Sequence, residues 1–139
     1  MIKLEDLEVY KVAMEIGELA WNIVEKWNYY LKDTLGKQFT KSADSIALNI
    51  SEGYGRFHYA ENRNFCWYNR GSAFETGTAI KKPMNRKLLT DEEYDLLKSK
   101  LLSYFKLINP NIKSIGKTNV DRKSGPNDFM TTDLLTTHD

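Results

Sequence analysis

Cysteine, histidine and proline are scarce in this sequence: among 139 residues there are one cysteine, two histidines and three prolines. A single cysteine excludes an internal disulfide and any cysteine-based zinc site, and it is typical of a reducing compartment. Because proline interrupts helices, so low a proline content allows long ones. The net charge of +1 gives no global sign of a nucleic-acid or membrane partner.

A long apolar run is also lacking. No segment approaches the roughly 18 consecutive apolar residues of a membrane-spanning helix, and carboxylates at Glu5 and Asp6 stand where a signal peptide would have its apolar run. With 41% hydrophobic and 28% charged residues, the composition predicts one small soluble domain. We therefore expect a cytoplasmic protein without a membrane partner.

Two neighbouring stripes, one polar and one apolar, run along the segment that ends at a Gly-rich corner near residue 53. Both follow steps of three and four residues, so each lies on one face of a helix. We expect the apolar stripe in the core and the polar stripe at its border, where buried amide and carboxylate groups need partners. The polar stripe is Gln38, Ser42, Ser45, Asn49, Glu52 and Arg56, and the apolar stripe is Phe39, Ala43, Ile46, Ile50, Gly53 and Phe57.

Helical periodicity elsewhere predicts an all-α fold, an antiparallel up-down four-helix bundle with short connections. Its four helices are expected from Leu4 to about Trp27, from about Leu35 to Glu52, from Tyr59 to before Pro83, and from a Thr90–Glu93 capping box to Pro110. Residues 1–110 then form the bundle domain, and residues 111–139 a polar, flexible tail.

The first helix has a wide apolar arc, which indicates a central helix or one contacted by another chain. Its aromatic residues are predicted to serve as core or inter-subunit contacts. If the arc is an interface, replacing Trp21 or Trp27 by glutamate should give a smaller species.

The corner at residues 53–58 makes the second and third helices an antiparallel hairpin whose polar stripes face each other. Ser42 is expected opposite Gly71 and Ser72, and Asn49 opposite Asn64 or Phe65. We call the line along which the two polar stripes meet the polar seam. We interpret it as a structural hydrogen-bond network, with a catalytic or ligand site as the alternative. The predicted members of the network are Ser45, Asn49, Glu52, Arg56, Ser72 and Glu75.

Positive charge is concentrated between residues 53 and 90, which hold seven basic residues and two acidic ones. Arginines alternate with aromatic residues on one predicted face of the third helix, a pattern that suits phosphate contact and base stacking. The alternative is an ordinary solvated face whose aromatic residues are covered by another protomer. The predicted nucleic-acid-binding residues are Arg63, Trp67, Arg70, Lys81, Lys82, Arg86 and Lys87.

Residues that would support catalysis or metal binding do not occur at the required spacing. A di-iron bundle needs Glu-x-x-His, but no glutamate stands three residues before His58 or His138. Ser72 has no histidine within reach at helical spacing, and no phosphate-binding glycine loop is present. We expect no enzyme, no catalytic residue, no metal and no cofactor; an acid–base pair of Glu52 and Glu75 is the remaining enzyme alternative.

Two motifs give the sequence a family resemblance. The run Ser45-Ile46-Ala47-Leu48-Asn49-Ile50-Ser51-Glu52-Gly53-Tyr54-Gly55-Arg56 resembles the S-I-x-x-N-I-x-E-G-x-G-R signature of the small bacterial four-helix bundle proteins first noticed as reading frames in 23S rRNA intervening sequences. Gly71-Ser72-Ala73-Phe74-Glu75 is similar to their second mark, G-S-x-x-E. Together with the first helix, the resemblance covers about residues 4–108.

The resemblance implies a four-helix bundle that assembles as a homopentamer and has no established enzymatic activity. Related accessory proteins of diversity-generating retroelements bind nucleic acid and a reverse transcriptase, which makes RNA, DNA and a reverse transcriptase the implied partners besides a second copy of the chain. Those accessory proteins are expected to be markedly basic. With 20 basic and 19 acidic residues, this chain fits the intervening-sequence branch better.

The leading hypothesis is an RNA- or DNA-binding accessory protein that presents the face of Arg63, Arg70 and Lys81. The alternative is a protein-interaction scaffold with no nucleic-acid role. Salt separates them, because binding through phosphate contacts weakens steeply as salt concentration rises.

Overall fold

The computed structural model describes the backbone of residues 3–55 and 59–115, and the side chains of residues 3–55 and 66–109. These ranges contain four long helices and no strand, so the predicted all-α four-helix fold is confirmed. The up-and-down order of the helices stays a prediction. The long helices are α1 (Glu8–Val24), α3 (Lys37–Tyr54), α4 (Tyr59–Ala79) and α6 (Asp91–Ile115); the shorter elements are a 3-10 turn (Leu4–Asp6), α2 (Tyr29–Leu31), a π-helical segment (Lys32–Gly36) and α5 (Lys81–Asn85).

The fourth long helix does not stop at Pro110. Helix α6 continues through this proline to Ile115, so the prediction that Pro110 closes the helix is wrong. Proline lacks an N–H donor and its ring crowds the preceding turn, and a helix that continues through it does so at that cost. The remainder of the predicted tail, residues 116–139, lies outside the described residues.

The hydrophobic core lies between the inward faces of the long helices. The apolar stripe of α3 is buried from Phe39 to Gly53, as its spacing predicted, while Phe57 lies outside the described residues. Each fully buried aliphatic or aromatic side chain contributes about 1.5–3 kcal/mol. The other buried residues of the core include Ala13, Ile16, Ala20 and Ile23 of α1 and Leu97, Leu101, Tyr104, Phe105 and Ile108 of α6.

Each long helix contacts two of the other three. Helix α1 packs on α3 and α6, and α4 packs on the other sides of α3 and α6. Lys26, two residues after the end of α1, pairs with Glu93 at the start of α6, whereas Glu15 of α1 pairs with Lys100 at 3.2 Å. Later residues of α1 thus meet earlier residues of α6, so these two helices run in opposite directions.

A glycine permits the close approach of α1 and α3. A Cβ atom added at Gly17 would lie 2.6 Å from Oδ1 of Asp44, which is too short for any real contact. Burial, and then the nearby charge of Glu18, raise the pKa of the Asp44 carboxyl. The sequence needs glycine at this crossing because any side chain would displace the carboxylate.

The start of α6 has the capping box that the sequence predicts. The N–H of Glu93 donates to Oγ1 of Thr90 at 3.0 Å, and the N–H of Thr90 donates to Oε1 of Glu93 at 2.8 Å. Burial alone would raise the pKa of Glu93, but the hydrogen bonds and charge of Lys26 and the bonds of Thr90 outweigh it and hold the pKa below its usual range. This cap places the loop before α6 firmly against the end of α1.

In the part of the chain that the structure describes, no helix combines the length and apolar character needed to cross a membrane.

Candidate nucleic-acid interface

Four of the predicted nucleic-acid-binding residues come together on α5 and the turn that follows it. We call Lys81, Lys82, Arg86 and Lys87 the α5 basic cluster. Lys82, Arg86 and Lys87 are exposed and Lys81 is half-buried. Pro83 can stand in the first turn of α5 because no intrahelical N–H is required there.

The turn after α5 has a defined backbone. Lys87 has a φ of 59°, in the left-handed region, and its N–H donates to the carbonyl of Met84 at 3.0 Å. The N–H of Leu88 donates to the carbonyl of Pro83 at 2.9 Å. Left-handed closure of a helix is common, but it usually employs glycine, and a lysine at this position carries some conformational strain.

A cavity of about 650 Å³ opens beside the α5 basic cluster. Two of its lining residues, Lys81 and Lys87, bring positive charge, and Asp91 brings negative charge. Lysine ammonium groups attract phosphate oxygens, whereas a carboxylate repels them. Anion contact is therefore favoured on the lysine side of the cavity. The remaining lining residues are Met84, Asn85, Leu89, Thr90 and Tyr94.

Arg70, another predicted member, is not on an outward face. Its side chain is only 3% exposed, and its Nε donates to Oδ1 of Asn109 on α6 at 3.0 Å. The guanidinium carbon lies 5.8 Å from the ring centre of Trp67 and 6.0 Å from that of Phe105. The prediction of an outward face containing Arg70 is wrong, because the side of α4 that turns away from α3 is covered by α6.

The guanidinium of Arg70 is incompletely paired. Its Nη2 is buried and has no hydrogen-bond partner among the residues described. Burial lowers the pKa of Arg70, and the nearby Tyr104 opposes this effect. A buried charge with few partners costs free energy, so its bond to Asn109 becomes important for stability.

Replacing Asn109 by alanine is expected to lower the free energy of unfolding by about 1.5–3 kcal/mol, the usual value of a hydrogen bond to a charged group. Urea denaturation at a fixed protein concentration measures the change. The matched control is Asn22→Ala on the exposed face of α1, which alters helix propensity in the same way. A double variant, Arg70→Met with Asn109→Ala, should recover part of the loss because it removes the buried charge. Equal stability of N109A and N22A would contradict this account.

The remaining two predicted nucleic-acid-binding residues fall on α4. Trp67 is half-buried beside Arg70, and the side chain of Arg63 lies outside the described residues. Cys66, one residue before Trp67, is buried. Burial raises the pKa of its thiol, so little reactive thiolate forms at neutral pH.

The polar seam joins α3 to α4 through side-chain hydrogen bonds. Nδ2 of Asn49 donates to Oγ of Ser72 at 3.3 Å, and Oγ1 of Thr76 donates to Oγ of Ser42 at 3.2 Å. Ser45 instead donates to the carbonyl of Lys41 within α3 at 2.8 Å. Thr76 was not predicted, although it stands four residues after Ser72 on the same face of α4.

The register of this hairpin differs from the prediction. Ser42 meets Thr76 rather than Gly71 and Ser72, and Asn49 bonds to Ser72, while the side chains of Asn64 and Phe65 lie outside the described residues. Side chains lean toward the start of their own helix. In an antiparallel pair of helices, a side chain of α3 therefore meets an α4 side chain that is not the one at the same height. The Cα atom of that α4 residue lies farther along α4. Gly71 is exposed, and a Cβ atom there would meet nothing within 4 Å.

Of the two glutamates of the seam, one lines a described cavity. Glu75 is exposed and lines a cavity of about 450 Å³ between α3 and α4, but Glu52 is not among the residues that line it. Arg56 lies outside the described residues. Within the described ranges, no group of three histidine, cysteine, aspartate or glutamate side chains could hold a metal ion. The other residues that line the cavity are Thr34, Lys37, Gln38, Lys41, Ser42 and Ser45.

The aromatic residues of the first helical region differ in exposure. Trp21 is 57% exposed and Met14, one heptad earlier on α1, is 45% exposed. Trp27 is only 8% exposed, and its Nε1 donates to the carbonyl of Leu88 at 2.9 Å. Trp27 is therefore a core residue of the protomer, and the expectation that it tests an interface is wrong. Trp21 remains the residue whose replacement tests the interface.

Comparison with known proteins gives one family. The sequence model described as 23S rRNA-intervening sequence protein matches residues 5–110. No curated protein matches the chain at a significant level. The match covers all four long helices nearly to the end of α6, and it includes both motifs and the α5 basic cluster. The chain belongs to the 23S rRNA-intervening sequence protein family.

Proposed function

We propose that the protein is a non-enzymatic, homopentameric RNA-binding accessory protein of the cytoplasm whose α5 basic cluster contacts RNA phosphates. One observation carries the proposal: Lys82, Arg86 and Lys87 are all exposed within six residues, on a turn whose backbone is held by hydrogen bonds. Because the backbone of this turn is already ordered, binding a phosphate chain costs side-chain entropy but little backbone entropy.

The charges of three members of the cluster, Lys82, Arg86 and Lys87, are available to a ligand. Lys82, Arg86 and Lys87 form no ion pair with any carboxylate of the described residues, whereas Lys26, Lys37 and Lys100 each do. A basic group that is not neutralised within the protein can release counterions from a phosphate backbone when it binds. In a closed ring the cluster would be repeated on every protomer, which would raise the apparent affinity for a long RNA.

The variant Lys82→Gln/Arg86→Gln/Lys87→Gln is expected to weaken RNA binding strongly and to flatten its salt dependence. Loss of three phosphate contacts should reduce the slope of log K against log salt concentration by about 2 for a single-stranded region. Fluorescence anisotropy with a labelled structured RNA, titrated at several salt concentrations, measures both quantities.

The control variant loses the same net charge at positions outside the α5 basic cluster. Lys41→Gln/Lys98→Gln/Lys106→Gln removes three charges from α3 and α6, away from the α5 basic cluster. This control should retain the wild-type slope. If wild-type protein does not bind RNA at low salt, or binds with an affinity that ignores salt, the proposed function is wrong.

A protein-interaction scaffold without an RNA role is the second candidate. The exposed Met14 and Trp21 on α1 favour it, because apolar side chains on one helical face mark protein contacts. The same face serves the proposed pentamer, so it supports self-assembly under either function. RNA titration separates the two candidates.

A further inference from the structure

Two consecutive tyrosines project from the corner between α1 and α3. Tyr29 is 79% exposed and Tyr30 is 73% exposed, more than any other large hydrophobic residue whose side chain is described. Side chains so exposed are accessible to a ligand in solution. Neither residue belongs to the predicted nucleic-acid-binding set.

The backbone under these tyrosines is fixed by side-chain hydrogen bonds. Oδ1 of Asn28 accepts from the N–H of Leu31 at 3.0 Å, which caps the short helix α2. Oγ1 of Thr34 donates to the carbonyl of Tyr30 at 2.8 Å. The rings therefore stand on an ordered turn, and binding a ligand would cost little backbone entropy.

A long-range contact places this turn beside the α5 basic cluster. Trp27 is two residues before Tyr29, and its Nε1 donates at 2.9 Å to the carbonyl of Leu88, the neighbour of Lys87. Chain geometry then holds the Cα atoms of Tyr29 and Lys87 within roughly 20 Å of each other. That distance suits a few nucleotides of extended single strand.

We propose that Tyr29 and Tyr30 stack on unpaired bases while Arg86 and Lys87 contact the flanking phosphates, so that this corner is a binding site for single-stranded nucleic acid. The inference rests on the proposed function and adds the class of ligand. Aromatic rings beside basic side chains are the usual means of binding single strands without sequence preference, because every base has a flat face. In a duplex those faces are stacked and closed to the tyrosines.

Charge at the corner is compatible with this ligand. Asp33, the acidic residue nearest to the tyrosines in sequence, pairs with Lys37 at 3.1 Å. Lys32 is exposed directly after α2. Asp91 lines the cavity beside Lys87, so the strand is expected on the Arg86 side of that cavity.

The test compares single and double strands on the full-length protein. The probes are a labelled oligoadenylate of about 12 nucleotides, the DNA strand of the same sequence, and the RNA annealed to its complement. Tyr29→Ala/Tyr30→Ala should lose affinity for the single RNA strand by about ten-fold per tyrosine, since stacking contributes this much per base. Its salt slope should stay that of the wild type, because no phosphate contact is removed.

The control variants separate ring stacking from other effects. Tyr29→Phe/Tyr30→Phe keeps both rings and should bind like the wild type, and Tyr68→Ala removes an exposed tyrosine from α4 and should also bind like the wild type. The alanine variant should lose affinity equally for RNA and DNA single strands and should bind the duplex unchanged.

Three results would overturn the inference while the proposed function stands: wild-type affinity of the alanine variant for the single strand, an equal loss for the duplex, or a loss confined to RNA. In each case K82Q/R86Q/K87Q would still reduce RNA binding. Failure of the proposed function looks different, because wild-type protein would then bind none of the probes in a salt-dependent way.

Discussion

A Trp27→Ala variant is expected to lose about 3–5 kcal/mol of unfolding free energy, the range for truncating a large aromatic side chain in a core. Trp27 is 8% exposed, and a Cβ atom at Gly36 would lie only 3.5 Å from its Cε3, so the ring fills the corner between α1 and α3. The variant also leaves the carbonyl of Leu88 without its indole donor. Because domains are stable by only about 5–15 kcal/mol, this loss should shift the urea midpoint greatly.

The midpoint is measured by far-UV circular dichroism at one protein concentration, since the stability of an oligomer depends on concentration. Trp27→Phe keeps an aromatic ring and loses the hydrogen bond, so it should cost less than the alanine variant. Tyr29→Ala removes a neighbouring exposed ring and should stay within about 0.5 kcal/mol of the wild type. If W27A and Y29A unfold at the same urea concentration, the indole does not hold the corner after α1 to the loop before α6.

A Trp21→Glu variant is expected to run as a smaller species than the wild type by light scattering. Trp21 is 57% exposed in the protomer and shares a face of α1 with Met14, so an assembled ring would bury both. A carboxylate placed in such an interface loses its hydration without gaining a partner, which opposes association. Within the protomer the same change is tolerated because the position faces solvent.

The control for this variant is Tyr29→Glu, which places the same charge at an exposed aromatic position outside α1. It should retain the wild-type mass. Both variants should keep the wild-type helical circular dichroism signal, which shows that the protomer is folded. A Trp21→Glu protein of wild-type mass would place the interface on another face. Trp27→Glu does not test the interface, because it would disrupt the core first.

Local spacing was sufficient to predict the helices and their inward faces. The stripe from Phe39 to Gly53 is buried, because a period of 3.6 residues determines which side chains share a face. Thr90 and Glu93 form the capping box that their separation of three residues predicts. These features depend on residues close together in the chain, so the sequence alone determined them, together with family membership through the two motifs.

The end of α6 shows where local rules are insufficient. Pro110 disfavours helix, yet α6 continues to Ile115. A proline costs one hydrogen bond and some crowding in the preceding turn, and a helix that buries an apolar face can bear that cost. Packing of Tyr104, Phe105 and Ile108 stabilises the turns just before it. Burial in the tertiary structure therefore outweighed the tendency of proline to end the helix.

Only the tertiary structure decided which helix faces are covered by other helices and which loops contact each other. Helical spacing grouped Arg70 with basic residues but could not show that α6 packs on that side of α4 and buries it. Trp21 is exposed and Trp27 is buried, and the buried ring lies near Gly36 and bonds to Leu88 in the loop before α6. The bond from Trp27 to Leu88 joins residues 61 positions apart and limits the distance between Tyr29 and the α5 basic cluster. Such contacts depend on the packing of whole helices, which no local pattern encodes.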